Sequence, residues 1–589
     1  MSKMDTNLID VALGKRPASL IVKGGTLINV HTKETYPADV AVFGDRIAAV
    51  GKLPEAAFGE DTVVIEAEGR YLAPGFIDAH IHVESSMLTY TEFVKMVLPL
   101  GTTAVATDLM EATIVSGIEG MKEILKEAST LPVSLFYPVP SFMEDESEWQ
   151  TTGSVLRPEM IKELLDLPEA VGLAEVLVPP ILAGSPISAH ILEEAAKRGK
   201  TAEGHAPGLS GADLNAYASA GIRSDHESGT AEEALGKLRA GLRVLMREGA
   251  AAADLDECLK VITENNADSR HCAMISDDID AYYISENGHM DYKVRKAVEA
   301  GVDPVTAIQM VTLNPAESLK VDDTHGSIAP GKFADIVLLD SLDSLNISSV
   351  VAKGELAAES GKLRKAIPTP SYGSVLKNTV KLSRKVEPED LLISLPGKSS
   401  ALVRVIGASK TSLLTEALEA ELDVTDGVLL PDVAKDLLSI ACVERYGKSG
   451  SVGKAFIKGF GLKSGAIATS VGHDHHNLTA VGADPADMAL ALNRIAELDG
   501  GLVVAEGGEI LSEIPLPICG LLSPDGGMEV AEKQKEMYGI LRRMGVDMPS
   551  PFMTLSFITL IFIPAYGITD RGLMDVADFK IVDPVVRAE

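Results

Sequence analysis

The stretch Pro74-Gly75-Phe76-Ile77-Asp78-Ala79-His80-Ile81-His82-Val83-Glu84-Ser85-Ser86 decides how the rest of the chain is interpreted. An apolar, strand-like run leads here into a His-x-His pair. Successive side chains of a strand alternate between its faces, so Asp78, His80 and His82 are expected to point the same way. Two neutral imidazoles on one face can bind one metal ion. The stretch therefore predicts a strand that ends at a metal site, although His-x-His pairs also occur in strands for structural reasons.

The size and charge of the chain limit the classes of protein to which it can belong. Its 589 residues favour about two to four folded units. Asp and Glu number 85 against 53 Lys and Arg, giving a formal net charge of -32, which argues against nucleic acid or an anionic membrane as a partner. Four cysteines without metal-ligand spacing, and an N-terminus unlike a signal peptide, predict a reduced cytoplasmic protein. The apolar run 552–563 is too short to cross a bilayer.

Eight strand-like runs lie within residues 74–322, a length close to the roughly 250 residues of a (β/α)8 barrel. Helical stretches separate most of these runs, which are Phe76–His82, Thr102–Asp108, Val133–Val139, Ala170–Val176, Lys200–Ala206, Gly221–Glu227, Arg243–Gly249 and Arg270–Asp278. Short β-branched runs in 1–73 and 323–367 predict one small flanking β-sandwich. Residues 368–589 mix strands and helices, so the predicted fold class is α/β: a (β/α)8 barrel with a flanking β-sandwich and an additional C-terminal α+β domain.

Polar residues follow the ends of most predicted barrel strands, where barrel active sites lie. They are His80 and His82, Asp108, Glu175, His205, His226, and Asp277 with Asp278. Four histidines with Glu175 and Asp277 could hold two divalent ions, and a set without thiolates suits Mn, Fe or Zn. Water between two such cations becomes a nucleophile near neutral pH, which predicts metal-assisted hydrolysis. The later cluster His473–Asn477 is interpreted as hydrogen-bonding histidines.

Distinctive motifs are spread along nearly the whole chain. They are residues 75–86, Gly101-Thr102-Thr103, the Gly204–Gly211 run, Ser224-Asp225-His226-Glu227, Arg247-Glu248-Gly249, Asp277-Asp278, Thr312–Glu317, His473–Asn477, Leu516–Leu521 and Pro551–Phe557. In combination these motifs resemble the adenine deaminase family of the amidohydrolase superfamily.

This resemblance implies hydrolytic deamination of adenine to hypoxanthine and ammonia in purine salvage, by a homo-oligomer with a metal-dependent hydrolase barrel. It implies two divalent ions, manganese or iron ahead of zinc. The ligands it implies are His80, His82, Glu175, His205, His226 and Asp277. Asp277, with the bridging Glu175, is expected to act in catalysis by moving a proton to the leaving nitrogen.

Two departures from the family pattern leave the substrate open. The family's Asp-Pro-His-Glu reads Asp108-Leu109-Met110-Glu111 here, and its Pro-Ser-Cys-Val-Pro reads Pro140-Ser141-Phe142-Met143-Glu144. These differences favour a deaminase of another purine-like heterocycle as an alternative. A cyclic-amide hydrolase is a second alternative, although its relatives often place a carboxylated lysine where Glu175 stands. A catalytically silent metal- or ligand-binding scaffold is the non-enzymatic alternative.

Several further residues are candidates either for contacts to the ligands or the purine, or for ordinary structural hydrogen bonds. They are Glu84, Asp108, Arg247, Glu248, Asp278 and His289. Asp277 and Asp278 are adjacent and are expected to point to opposite faces of their strand. Asp277 is the preferred ligand, with Asp278 as the alternative.

Overall fold

The structure, a computed structural model, describes residues 5–141, 148–250, 252–410, 414–562 and 565–589. Phe142 and Glu144, at the second departure noted above, lie outside these ranges. The described chain begins with helix α1 (Thr6–Ala12) and five strands: β1 (Leu20–Asn29), β2 (Glu34–Phe43), β3 (Arg46–Gly51), β4 (Val63–Glu66) and β5 (Tyr71–Pro74).

The next eight strands form one sheet in which neighbours in sequence pair in parallel. They are β6 (Phe76–Asp78), β7 (Thr102–Ala106), β8 (Ser134–Pro140), β9 (Ala170–Leu177), β10 (Thr201–His205), β11 (Ser224–Asp225), β12 (Arg243–Arg247) and β13 (Cys272–Ile275). A parallel bridge between Ile81 and Asp277 joins the first strand to the last. All eight predicted strands are present, and the predicted barrel is confirmed.

Helices lie between the barrel strands and after the last of them. They are α2 (Tyr90–Val97), α3 (Met110–Ala128), α4 (Pro158–Leu164), α5 (Val178–Leu182), α6 (Pro186–Lys197), α7 (Gly211–Ser219), α8 (Ala231–Arg239), α9 (Leu255–Thr263), α10 (Ala281–Asn287), α11 (Met290–Glu299), α12 (Pro304–Met310) and α13 (Leu313–Leu319). The regular part of β6 ends at Asp78, so His80 and His82 lie in the bend beyond it. Hydrogen bonding continues there, because Asp277 N donates to His80 O at 3.0 Å.

Four strands follow the barrel: β14 (Ile336–Leu339), β15 (Ile347–Ala352), β16 (Glu355–Glu359) and β17 (Lys362–Leu363). Among the described residues they join β1–β5 in one nine-stranded sheet through antiparallel pairing of β14 with β5. Leu72 of β5, Ile336 of β14 and Val351 of β15 lie in its apolar core. Segments on both sides of the barrel thus build one flanking β structure, as expected from the sequence.

The C-terminal region contains the remaining elements. They are β18 (Ile393–Ser394), β19 (Ser400–Gly407), β20 (Glu416–Thr425), β21 (Val428–Leu429), β22 (Leu438–Val443), β23 (Val452–Lys458), β24 (Ala466–Thr469), β25 (Leu478–Gly482), α14 (Pro485–Leu498), β26 (Gly501–Glu506), β27 (Glu509–Pro515), α15 (Gly527–Arg543), α16 (Pro551–Phe557), β28 (Tyr566–Thr569), β29 (Gly572–Asp575), β30 (Lys580–Val582) and β31 (Val585–Ala588). This mixture of strands and helices confirms the predicted α+β class of the region.

A buried arginine holds the loop between β24 and β25 in place. Arg445 is fully buried and donates to Ser470 O at 3.3 Å and to Cys519 O at 2.6 Å. Asn477 at the other end of the loop accepts from Arg445 N at 3.1 Å. The loop therefore has a defined position within the C-terminal region. Within the described part of the chain, none of the helices has the length and apolar character required to span a bilayer.

Candidate metal centre

Glu175 lies at the centre of the predicted ligands. Its Oε1 atom is 3.4 Å from His80 Nε2, 3.6 Å from His82 Nε2 and 3.4 Å from His226 Nε2. Its Oε2 atom is 2.7 Å from His205 Nδ1. The four histidines thus converge on one buried carboxylate whose two oxygens face different partners, which is the geometry that a bridging carboxylate requires.

The backbone of β9 turns the Glu175 side chain towards the barrel axis. Leu173 pairs with Ala202 and Val176 with Gly204, so β9 carries one extra residue relative to β10 and forms a β-bulge there. Glu175 has φ +53° and Asp277 has φ +59°. Such positive φ values are uncommon for residues other than glycine and are concentrated at functional sites.

Carboxylates behind the histidines orient the imidazole rings. Glu203 Oε1 is 2.9 Å from His80 Nδ1 and 3.1 Å from His226 Nδ1, and Asp108 Oδ1 is 3.3 Å from His82 Nδ1. A carboxylate beside Nδ1 favours a proton there and directs Nε2 at the centre. Three rings are thereby oriented as metal ligands require.

Arg247 orients Asp277 and keeps it ionised. Asp277 Oδ1 is 3.6 Å from Nε2 of both His80 and His82, while Arg247 Nη1 donates to Oδ2 at 3.1 Å. Burial raises the pKa of Asp277, but the neighbouring His80 imidazole and the Arg247 charge hold it well below its usual range. Asp278 lies outside this group, since its Oδ1 accepts a hydrogen bond from Ser85 Oγ. The geometry favours Asp277 over Asp278 as the inward carboxylate.

The buried polar atoms of the cluster fit a divalent metal site. Several overlapping groups of close ligand atoms occur among the described residues, including one with His80, His82 and Asp277 and another with His205, His226 and Glu227. Among the described residues, the buried atoms His80 Nε2 and His205 Nδ1 lie close to Glu175 but have no partner in hydrogen-bonding geometry. Nitrogen and oxygen donors without thiolate suit Mn, Fe or Zn. The residues present therefore fit a divalent metal site.

The electrostatic surroundings of His80 also favour the binding of a cation. Burial and His226 lower the pKa of this imidazole, but Glu203 and Asp277 more than compensate and raise it to about 10. Glu175 remains a carboxylate, because His226 and His205 lower its pKa more than burial raises it. The negative potential that attracts a proton to His80 also attracts a metal cation, so the two compete for the same nitrogen.

A cavity of about 790 Å3 opens beside the cluster, a size common for small-molecule sites. Barrel residues lining it include His82, Glu175, His205, His226, Asp277 and Asp278. Met110 and Glu111 line it from the start of α3, and Lys410, His473 and Phe557 line it from the C-terminal region. The mouth of the barrel is thus completed by residues far along the chain.

The other candidate residues fall into two groups: those that contact the cluster or line the cavity, and those that do neither. Asp108 contacts His82, and Asp278 lines the cavity. Glu84, by contrast, accepts from Ala112 N at 3.3 Å beneath the site, and burial raises its pKa to about 8. His289 is fully buried against Asp78 Oδ2 at 3.2 Å. Glu248 pairs with Lys296 Nζ at 2.7 Å. These last three residues do not line the cavity within the described part of the chain.

Three carboxylates that contribute to the site were not singled out from the sequence. Glu203 alternates with His205 along β10 and so shares its face, a signal that period-two reasoning could have used. Glu227 directly follows His226, and its Oε1 accepts from Arg247 Nη1 at 2.7 Å. Glu111 stands in the sequence next to Met110, where the chain departs from the family pattern. No local pattern of residues connects Glu111 to His473.

The fold and the site together define a metal-dependent hydrolase of the amidohydrolase class. The sequence profile described as "Amidohydrolase family" matches residues 71–357, and that described as "Adenine deaminase C-terminal domain" matches residues 412–580. An adenine deaminase of Moorella thermoacetica is 39% identical over 99% of this chain and 98% of its own length. "Adenine deaminase 3" of Rhizobium meliloti is 40% identical over 100% of this chain and 99% of its own length. An adenine deaminase of Clostridium botulinum is 38% identical, covering 98% and 97%. The chain belongs to the adenine deaminase family of amidohydrolases.

Proposed function

We propose that this protein hydrolyses adenine to hypoxanthine and ammonia. The observation that carries the proposal is the convergence of four histidines on Glu175, with Asp277 facing two of them, in a chain that matches adenine deaminases over its full length. In the reaction the purine C6–N bond breaks and a C6–O bond forms, with water as the source of oxygen.

Six residues would hold two divalent ions, with manganese or iron ahead of zinc. They are His80, His82, Glu175, His205, His226 and Asp277. When bound, such ions activate water near neutral pH and stabilise developing negative charge. Glu175 faces all four histidines and would bridge the two positions. Glu203 would keep two imidazoles in the ligating tautomer.

Asp277 would move the proton. Its Oδ2 is held by Arg247 and its Oδ1 faces the cluster, so the carboxylate is ionised and directed at the reacting centre. It can accept a proton from the attacking water and pass it to the leaving nitrogen. Proton transfer by a positioned side chain typically contributes about 10²- to 10⁴-fold.

A deaminase of another amino-purine is the second candidate function, and one observation favours it. Met110 lines the cavity where the family pattern has a histidine, so the substrate meets an apolar surface there. Ammonia release from adenine, other aminopurines and cyclic amides, together with metal content, separates the candidates. Adenine as the best substrate supports the proposal, whereas a different best substrate contradicts it. A metal-free protein that releases no ammonia from any of them would be a silent scaffold.

The assembly and location of the protein remain predictions. We propose a cytoplasmic homo-oligomer that acts in purine salvage. Light scattering of the metal-loaded protein gives its oligomeric mass, and a monomer would contradict this part of the proposal.

A further inference from the structure

The C-terminal region places one imidazole in the cavity in a fixed orientation. Glu111 Oε1 is 2.8 Å from His473 Nδ1, and Glu111 Oε2 contacts His476 Nε2. His476 Nδ1 accepts a hydrogen bond from Gly472 N at 3.1 Å, so its proton lies on Nε2 and is donated to Glu111. The carboxylate therefore accepts from both histidines, and His473 must carry a proton on Nδ1.

Packing fixes the plane of the His473 ring. The ring stacks on Phe557 with centroids 4.8 Å apart and an interplanar angle of 25°. Thr559 Oγ1 also donates to the His473 carbonyl oxygen at 2.7 Å. The residue is 3% exposed. With its plane and its Nδ1 fixed, the ring can direct Nε2 in only one direction.

His473 Nε2 is a buried polar atom with no hydrogen-bond partner among the described residues, and its side chain lines the cavity. Its nearest charged neighbour is Asp278 Oδ1 at 3.6 Å, beyond hydrogen-bonding distance. The centroid of the ring lies 6.3 Å from that of His82, so this atom lies at the edge of the cluster of candidate ligands. An orphaned buried polar atom carries a large cost unless a ligand satisfies it.

We propose that His473 is a specificity-determining residue whose Nε2–H donates a hydrogen bond to a ring nitrogen of the bound purine. This inference rests on the proposed function. Carboxylates flank the imidazole on both sides, Glu111 at Nδ1 and Asp278 near Nε2, and they favour a proton on each ring nitrogen. Purine ring nitrogens present in-plane lone pairs that accept such a bond. The role of the C-terminal region would then be to recognise, by hydrogen bonding, the edge of the substrate that the barrel does not contact.

Two substitutions at position 473 distinguish the roles of the two ring nitrogens. His473→Asn keeps an amide near the Nδ1 position, where it can still bond to Glu111, and removes the donor at Nε2. His473→Gln places an amide near the Nε2 position and so retains a donor to the cavity. His475→Asn is the control, because His475 belongs to the same loop but does not line the cavity. In this control the asparagine oxygen can replace the Nδ1 that accepts from Asn477 N at 3.0 Å.

The measurement is the inhibition constant of 1-, 3- and 7-deazaadenine against adenine turnover, each analogue lacking one ring nitrogen. In the unchanged protein we expect one analogue to bind about 10- to 100-fold more weakly than the others, the range for a hydrogen bond from a charged donor. His473→Asn should close this gap. Without the donor, the two analogues that keep the bonded nitrogen should lose affinity by the factor that separates them from the third in the unchanged protein. His473→Gln and His475→Asn should keep it to within about 3-fold.

Three outcomes would overturn the inference. The unchanged protein binds all three analogues equally, the gap persists in His473→Asn, or His473→Gln closes the gap as fully as His473→Asn does. Melting temperatures show whether each variant is folded; if His473→Asn is not, the test rests on the gap in the unchanged protein and on its loss in His473→Gln, either of which can overturn the inference. Failure of the unchanged protein to deaminate adenine overturns the proposed function and this inference together. Adenine turnover with an unaltered analogue pattern overturns this inference alone.

Discussion

Removing Glu203 should weaken metal binding although this residue is not a predicted ligand. One oxygen of Glu203 lies 2.9 Å from His80 Nδ1 and 3.1 Å from His226 Nδ1. Loss of a single such partner typically costs about 10- to 100-fold in metal affinity. Glu203→Ala removes both contacts, so we expect a loss of about 10²- to 10⁴-fold if they act independently. Glu203→Gln keeps an oxygen in place and should lose about 10-fold.

The assay is a competition titration of metal against a chromophoric chelator, with metal content measured on the purified variants. Glu248→Ala is the matched control, because Glu248 is equally buried but pairs with Lys296 and contacts no histidine of the cluster. It should lower stability without changing metal affinity. The reasoning is refuted if Glu203→Ala binds metal as tightly as the unchanged protein, or if Glu248→Ala loses as much affinity.

Three further perturbations test the site and the fold. Asp277→Asn should lower kcat by about 10²- to 10⁴-fold in metal-loaded protein; activity within about 3-fold of the unchanged protein would contradict the proton-transfer role. Because the pKa of His80 is raised to about 10, metal must displace a proton there at neutral pH, so affinity should rise with pH and fall in acid. Calorimetry in buffers of different ionisation enthalpy measures the released proton, and pH-independent binding would contradict this expectation. Gly75→Ala would place Cβ 2.1 Å from Thr103 Oγ1 and should destabilise folding by about 1–3 kcal/mol in urea, whereas an unchanged midpoint would show that Thr103 moves away freely.

The barrel and the positions of most candidate ligands could be predicted because both follow from short-range rules. Parallel strands of a barrel bring their carboxyl ends to one face, so His205, His226 and Asp277 are expected together once the strands are recognised. The rules are weaker where the backbone leaves regular geometry. β6 stops at Asp78, and His80 reaches the cluster from a bend rather than from the predicted strand.

Residues outside the cluster show why the weaker candidates could not be assigned from sequence. His289 and Glu248 are both candidates from the sequence, yet one packs against Asp78 and the other against Lys296. Asp278 neighbours Asp277 but faces His473. Which way a polar side chain points after a strand depends on the φ value of a single residue and on the helix packed behind it. Neither quantity is visible in the local pattern of residues.

The sequence by itself determined the eight strands, the polar residues that end them and the absence of cysteine ligands, because alternation, strand length and composition are local properties. Only the tertiary structure decided that Glu203 orients two histidines and that Glu111, 362 residues before His473, holds that imidazole in the cavity. Such contacts join elements distant in the chain, and they exist only because barrel and C-terminal region pack together. Shape complementarity between packed elements, rather than any periodic signal, places these groups within hydrogen-bonding distance.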